Sequence, residues 1–234
     1  MHGQFHEFET NAELSAQLAV RIASDLAVAI SERGSATLAV SGGSTPRPLF
    51  EALSLQPLDW SRVFVTQVDE RWVDESHSDS NARLIRQHLL QHEAGAAIFL
   101  SMKTASDSPF VAEVEVSAKL APFAAHIDVV VLGMGEDGHT ASFFPGASTL
   151  ARAMDSAGTD LCVAVRPPAA AHDRMTLSLA ALLRARHAYL HITGATKRDV
   201  LAVACEAENE AQLPISALLH SKALEIEIYY ASSN

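Results

Sequence analysis

The sequence is poor in cysteine and in aromatic residues. Its two cysteines, Cys162 and Cys205, lie far apart and match no metal-binding or redox spacing, so we expect both to be reduced and buried. Aromatic residues make up 6% of the chain and are not interleaved with basic ones. That composition argues against a surface that stacks nucleic-acid bases.

Positive charge is also in deficit, because 28 acidic side chains face 17 basic ones and the formal net charge is -11. Domains that bind nucleic acid usually gather Lys and Arg on one face, so we expect no nucleic-acid partner. A small anionic substrate remains compatible with this balance, since one phosphate needs only a few local donors.

Long hydrophobic runs are missing as well. No apolar run approaches the roughly 20 residues that a membrane helix needs, and the amino terminus lacks the basic start and apolar stretch of a signal peptide. We therefore expect a cytoplasmic protein with no membrane partner. The 234 residues, 48% of them hydrophobic, can bury a sizeable core and predict one domain over residues 1–234. The oligomeric state is left open.

Hydrophobic spacing predicts helices that alternate with strands. One helix is predicted by Leu14, Leu18, Ile22 and Leu26, which repeat every four residues between a cap at Thr10 or Asn11 and a stop at Gly34. Further helices are predicted for the stretches that begin at Pro46 and Asn81 and for residues 110–123 and 196–208. Apolar runs predict strands at 36–40, 62–68, 127–132, 160–165, 187–192 and 224–230. This alternation predicts a largely parallel sheet that is covered by helices on both faces.

Polar clusters follow several predicted strands, where open α/β sheets bind ligands. They are SGGSTP, DERW, GMGEDGHT and TGATK. The first holds Ser41, Gly42, Gly43, Ser44 and Thr45, a turn whose glycines and free N–H groups suit a phosphate, although an ordinary Gly-Ser turn has the same composition. It lacks the Gly-Lys-Ser/Thr ending of a nucleotide-binding P-loop.

The third cluster carries Asp137 and His139 in a glycine-rich loop. An imidazole titrates near neutral pH and can take a proton from water, and a carboxylate two residues away can orient the ring. The same loop matches G-x-G-x-x-G, but the acidic residue that should end the next strand of a dinucleotide fold is missing, so we expect no cofactor.

Four further charged residues are candidates for the site, and two of them, Arg71 and Lys197, follow predicted strands. Arg71 has the planar fork that suits phosphate, with a salt bridge to an acidic neighbour as the alternative. Lys197 can supply a second positive charge, or be a solvated surface lysine. Arg166 and Arg174 flank a loop that either folds over the site or is structural. His88 and His92 have the spacing of a helical metal pair, but no Glu follows the first His as in H-E-x-x-H, and His187 and His191 have no evident third ligand, so we expect no metal.

Together these segments resemble the glucosamine-6-phosphate isomerase/6-phosphogluconolactonase family, and specifically its 6-phosphogluconolactonases. The matching segments are LAVSGGSTPRPLFEAL at 38–53, VDERWV at 68–73, SDSNARLI at 78–85, VVLGMGEDGHTASFFPG at 130–146, RMTLSL at 174–179 and ITGATKRDVL at 192–201. The resemblance implies a three-layer α/β/α fold with a mostly parallel central sheet, and hydrolysis of 6-phospho-D-glucono-1,5-lactone. It implies that His139 is the general base supported by Asp137, that Arg71 and Lys197 bind phosphate near the Ser-Gly-Gly-Ser turn, and that Asp69 contacts sugar hydroxyls. Arg174 is a further candidate for substrate binding.

Two alternatives differ in chemistry. The related amino-sugar deaminases have a glutamate a few residues after their Asp-Gly-His, where this chain has Phe144, and a phenyl ring cannot relay a proton. A non-catalytic sugar-phosphate sensor normally needs an attached effector module, and it has no need for both Asp137 and His139. Sugar-phosphate binding without lactone turnover would indicate the sensor.

Overall fold

The computed structural model describes residues 3–206 and 210–233. Its strands are β1 (Phe5–Thr10), β2 (Ala36–Val40), β3 (Val63–Gln67), β4 (Asp69–Arg71), β5 (Ile98–Leu100), β6 (Val129–Leu132), β7 (Cys162–Val165), β8 (Arg174–Leu177), β9 (His187–Thr193) and β10 (Ile226–Ser233). Its α-helices are α1 (Asn11–Arg33), α2 (Arg47–Ser54), α3 (Asn81–His88), α4 (Pro109–Ala124), α5 (Leu150–Ala153), α6 (Leu179–Leu182), α7 (Ala195–Glu206) and α8 (Ile215–Leu219). Short 3₁₀ turns cover Trp60–Arg62 and His92–Ala96.

The main sheet has the strand order β1-β10-β9-β6-β2-β3-β5, and each pairing among its described strands is parallel. A smaller antiparallel sheet has the order β4-β8-β7. Along β6, alternate residues face opposite sides of the main sheet. Val129 and Val131 pack in one hydrophobic core with α1 and α2, whereas Val130 and Leu132 pack in a second core with α4 and α8. The fold is therefore a three-layer α/β/α arrangement with a mostly parallel central sheet, as predicted.

The boundaries of α1 follow from its capping residues. Thr10 is extended and its side chain accepts a hydrogen bond from the N–H of Glu13, so Thr10 rather than Asn11 is the cap. Gly34 ends the helix in the left-handed conformation with φ 80°, where a residue with a Cβ would be strained. Ser80 caps α3 in the same way as Thr10, by accepting from the N–H of Arg83. Thr10 is one of the two residues predicted to cap α1.

Helix α1 is long enough, and on average apolar enough, to cross a membrane by length and composition alone. It contains no uninterrupted apolar run, because charged residues such as Arg21 and Asp25 lie within it. Its buried residues nevertheless lie along one face and include Leu14, Leu18, Ile22 and Leu26, which pack against the sheet. Core helices meet the same length and composition test, and this burial pattern is that of an amphipathic core helix.

Other differences concern elements that the sequence pattern did not indicate. β1, β4, β5 and β8 were not predicted, and β7, which was, belongs to the small antiparallel sheet rather than to the parallel one. The helix predicted over 196–208 is α7, which begins one residue earlier; positions 207 and 208 lie outside the described residues. Cys162 is buried as expected, whereas Cys205 is only half-buried.

The buried carboxylate of Glu70 joins the small sheet to α3. Its Oε1 accepts from the N–H groups of Arg71 (2.8 Å) and Asn81 (2.7 Å), and its Oε2 accepts from the N–H of Ala82 (2.7 Å) and the amide of Gln67 (2.9 Å). Burial raises the pKa of Glu70, while the three backbone N–H groups oppose the rise. Because both oxygens face donors, the ionised form is the one that fits.

We expect Leu18→Ala to lower the free energy of unfolding by about 3 kcal/mol, because the substitution removes a fully buried side chain and leaves a cavity. The matched control is Val20→Ala on the exposed side of the same helix, where 57% of the residue is accessible, and it should change stability by less than about 0.5 kcal/mol. Urea denaturation followed by circular dichroism measures both. Equal effects in the two variants would contradict the packing described for α1.

We expect Glu70→Gln to lower the free energy of unfolding by about 2–3 kcal/mol, since the amide NH₂ would face donors that the carboxylate now satisfies. Glu75→Gln is the control, because Glu75 forms an exposed ion pair with Arg86 and such pairs contribute about 1 kcal/mol or less. Chemical denaturation of both variants tests this. A wild-type midpoint for Glu70→Gln would show that the carboxylate is not needed in its ionised form.

Candidate active site

A cleft of about 240 Å³ lies at the carboxyl ends of β2, β6 and β9. Because β9, β6, β2 and β3 are consecutive neighbours in the sheet, the segments that follow them meet at one edge. The cleft brings together residues from all four predicted polar clusters, namely Ser41, Gly42, Gly43, Ser44, Thr45, Asp69, Arg71, His139 and Lys197. Asp137 and Arg174 do not line the cleft, but each of them lies next to a residue that lines it.

Asp137 and His139 form the hydrogen-bonded pair that their spacing suggested. The Nδ1 of His139 bonds to Oδ1 of Asp137, and the backbone N–H of His139 donates to the same oxygen at 3.2 Å. Burial favours the protonated form of Asp137, but the charge and hydrogen bonds of His139 outweigh it and lower the pKa of Asp137. In the neutral ring, the bond to the Asp137 carboxylate places the proton on Nδ1, and Nε2 keeps a lone pair.

The loop geometry fixes the orientation of this histidine ring. Gly135 passes so close that a Cβ there would lie 2.2 Å from Nδ1 of His139, so only glycine fits. The backbone N–H of Gly135 also donates to the carbonyl of His139 at 2.8 Å. The ring of Phe144 also lies 4.5 Å from the His139 ring, centroid to centroid. The ring is thus in contact with both the loop backbone and an aromatic side chain.

The turn that follows β2 ends at the amino terminus of α2. Pro46 precedes the first helical residue, and no side chain caps the helix. The free N–H groups at this helix end therefore remain available to an anion. The hydroxyl oxygen of Ser41 is buried, lines the cleft and has no partner among the described residues. The turn has the donors that phosphate binding requires.

Two arginines lie side by side on the small sheet, because Arg71 in β4 pairs with Arg174 in β8. Arg71 lines the cleft and donates from Nη1 to the carbonyl of Asp79 at 2.7 Å. Its alternative role as a salt-bridge partner of an acidic neighbour is not seen among the described residues. Arg174 is buried and lies over the ring of Phe144 at 5.9 Å. Burial lowers the pKa of Arg174, and the negative charge of Asp69 opposes this change.

Asp69 forms part of the cleft wall and is held by neighbouring polar groups. Its Oδ2 accepts from the hydroxyl of Ser142 at 2.6 Å, and its backbone carbonyl accepts from the Asn81 amide at 2.8 Å. Asn81 and Ser142 were not predicted as site residues. Asn81 lines the cleft because Glu70 anchors the first turn of α3 there, a tertiary contact for which the sequence gives no signal.

Lys197 lies at the start of α7 and reaches into the cleft from the β9 side. Its alternative as a solvated surface lysine does not hold, because it is half-buried and lines the cleft. Burial lowers its pKa, and the carboxylate of Glu136 opposes this. His191 of β9 lines the same wall and was considered in the sequence only as a metal ligand.

The loop between Arg166 and Arg174, for which two roles were left open, makes its own contacts. Arg166 forms two 2.8 Å bonds to the carboxylate of Asp173, is largely exposed and does not line the cleft, which favours the structural alternative. His172 pairs with Asp79 at 3.1 Å, and these two with His77 form a group of possible metal ligands within 4.8 Å of one another. None of the three lines the cleft, so this group does not belong to the predicted site.

The chain is similar over almost its full length to proteins of one family. A family model described as glucosamine-6-phosphate isomerases/6-phosphogluconolactonase matches residues 9–226. A protein of Rhizobium meliloti (strain 1021) named 6-phosphogluconolactonase is 42% identical over 231 residues, which is 99% of this chain and 100% of that protein. Another of that name from Pseudomonas aeruginosa is 45% identical and covers 90% of this chain and 88% of its own length.

Solved structures show the same likeness. The crystal structure of a 6-phosphogluconolactonase from Shewanella baltica OS155 has a TM-score of 0.94 at 40% identity, and the match covers 98% of each chain. A monomeric glucosamine-6-phosphate deaminase, at 20% identity and a TM-score of 0.76 over 96% of each chain, shares the fold. The extent of the family match and the level of identity together show that this chain belongs to the glucosamine-6-phosphate isomerase/6-phosphogluconolactonase family.

Proposed function

We propose that this chain is a single-domain cytoplasmic enzyme that hydrolyses 6-phospho-D-glucono-1,5-lactone to 6-phospho-D-gluconate, a step of the oxidative pentose phosphate pathway. One observation carries the proposal. The same cleft is lined or adjoined by a histidine that a carboxylate orients and by a set of donors suited to phosphate. In addition, full-length relatives of this chain are named 6-phosphogluconolactonase.

His139 acts as the general base. Because Nδ1–H is bound to Asp137, Nε2 accepts a proton from water as the water oxygen attacks the lactone carbonyl carbon. The tetrahedral intermediate then collapses, the bond from that carbon to the ring oxygen breaks, and the ring oxygen takes the proton from Nε2. The ionised Asp137 stabilises the imidazolium between these two transfers.

The phosphate binds in the same cleft as His139. Arg71 and Lys197 supply two positive charges, and the turn from Ser41 to Thr45 supplies hydroxyl and backbone donors. Like charges directly opposite on paired strands are unfavourable, so the adjacent guanidiniums of Arg71 and Arg174 also favour an anion nearby. Binding of the remote phosphate places the carbonyl against the base and lowers the entropic part of the barrier.

The neighbourhood of His139 disfavours amino-sugar deamination. The position that the resemblance assigns to the deaminase glutamate is Phe144, whose ring packs on the His139 ring at 4.5 Å. An apolar ring in this contact neither donates nor accepts a proton, and it limits water on that side of the imidazole. A sugar-phosphate sensor has no need for the oriented Asp137–His139 pair.

We expect His139→Ala to keep the fold and the affinity for 6-phosphogluconate but to lower kcat by about 10²–10⁴-fold, the usual contribution of a general base. The assay uses freshly generated lactone and subtracts the enzyme-free rate, since this lactone also hydrolyses spontaneously. His88→Ala is the control, because His88 also pairs with a carboxylate, Glu51, but lies outside the cleft. Near-normal turnover by His139→Ala would refute the base assignment.

We expect Arg71→Ala to raise KM by about 10- to 100-fold with a smaller change in kcat, because a charge-assisted bond to phosphate contributes about 1.5–3 kcal/mol. Arg83→Ala serves as the control, since Arg83 donates to a backbone carbonyl of the same loop, that of Ser76, but does not line the cleft. Steady-state kinetics of both variants provide the test. An unchanged KM for Arg71→Ala would remove this residue from the phosphate site.

A further inference from the structure

His191 is a buried histidine in the wall of the cleft for which the proposed mechanism has no use. It lies near the carboxyl end of β9, is 3% exposed, and its Nε2 lies 2.7 Å from Oδ1 of Asn11 at the start of α1. It is one of the cleft-lining residues. Its surroundings define both its tautomer and its charge.

The contacts of Asn11 fix the tautomer of His191. The Asn11 amide nitrogen donates to the carbonyl of Thr45 at 3.1 Å, and the hydroxyl of Ser15 donates to Oδ1 of Asn11 at 3.3 Å. Oδ1 is therefore the atom that faces His191, and it can only accept. The proton of the neutral ring is on Nε2, and Nδ1 is left as an acceptor.

The ring is neutral throughout the physiological range. Burial lowers the pKa of His191 to about 3, and the charge of Lys197 acts in the same direction. Nδ1 is also buried, and it has no partner among the described residues. An unpaired buried acceptor is unfavourable, and the wall around it is otherwise rich in donors.

Lys197 is the donor that suits this acceptor. It lines the same cleft, and it is the cation whose charge acts on His191. No hydrogen bond or ion pair of the Lys197 side chain is found within residues 3–206 and 210–233. Its ammonium has three N–H donors, which is more than one phosphate oxygen can use.

Building on the proposed function, we propose that His191 is a positioning residue for Lys197 in the substrate-bound enzyme. Nδ1 of His191 accepts one N–H of the Lys197 ammonium and leaves the other two directed at the substrate phosphate. Asn11 extends this chain to the carbonyl of Thr45. One network of hydrogen bonds thus connects the turn after β2 with the lysine after β9, on opposite sides of the phosphate.

The test is binding of 6-phosphogluconate, measured by calorimetry, to the wild type and to four variants: His191→Leu, His191→Asn, Lys197→Met and the double variant His191→Leu/Lys197→Met. We expect His191→Leu to weaken binding by about tenfold, the loss of one hydrogen bond to a charged group. His191→Asn, whose side-chain oxygen can occupy the Nδ1 position, should stay within about threefold of the wild type. In the Lys197→Met background, His191→Leu should have almost no further effect.

The pH dependence separates positioning from packing. Burial lowers the pKa of Lys197, the Glu136 carboxylate opposes this change, and the charge of Lys197 in turn lowers the pKa of His191. Removing an acceptor disfavours the ammonium, so the pKa of Lys197 should fall, and the loss of affinity at alkaline pH should begin at lower pH in His191→Leu. Lys197→Arg is the control, because a guanidinium stays charged and should abolish this alkaline limb.

Several results would overturn the proposal. They are wild-type affinity in His191→Leu, equal losses in His191→Leu and His191→Asn, or additive losses with Lys197→Met. If His191→Leu does not fold, His191→Gln replaces it, because its amide keeps a donor for Asn11 and lacks an acceptor at Nδ1. Failure of the wild type to bind 6-phosphogluconate and to hydrolyse the lactone would overturn the proposed function as well. Normal lactone turnover by the wild type, together with His191 substitutions that leave binding unchanged, would overturn this inference alone.

Discussion

The parallel hydrogen-bond pairing of β9, β6, β2 and β3 is the constraint on which the site depends. Because the strands run in one direction and are immediate neighbours, the segments that follow them leave the sheet at one edge. That edge carries the turn at 41–45, the loop with His139 and the start of α7 with Lys197. A shift in the register of one strand would reverse which of its side chains face each core and displace its loop from the others.

The small antiparallel sheet forms a part of the cleft wall that the strands of the parallel sheet do not form. Its β4 follows β3 after a single residue, and Glu70 ties this strand to the first turn of α3 through buried hydrogen bonds. Asp69 and Arg71, on either side of Glu70, are therefore fixed in position by a carboxylate that is not itself exposed. The segment DERW combines one buried anchor with two residues of the cleft.

The sequence predicted the strands of the central sheet far better than the small sheet. β2, β6 and β9 are rich in apolar residues because both of their faces are buried, whereas β4 is three charged residues whose pairing depends on distant partners. In the site, the residues after each strand were predicted from strand ends and from the family resemblance. Asn81, Ser142 and His191 were missed because only contacts distant in sequence give them a role.

The proposed phosphate site lies in a chain of net charge -11, and the same geometry explains how the two are compatible. The cations near the cleft are few, but burial and neighbouring contacts hold them: Arg174 lies against Phe144, and Arg71 is bonded to the carbonyl of Asp79. Phe144 also packs on His139, so one aromatic ring contacts both the proposed base and Arg174, the strand partner of Arg71. Substitution of Phe144 would therefore disturb both His139 and Arg174, which makes this ring a structural link between them. Under the proposed function, the same residue distinguishes this chain from the deaminases.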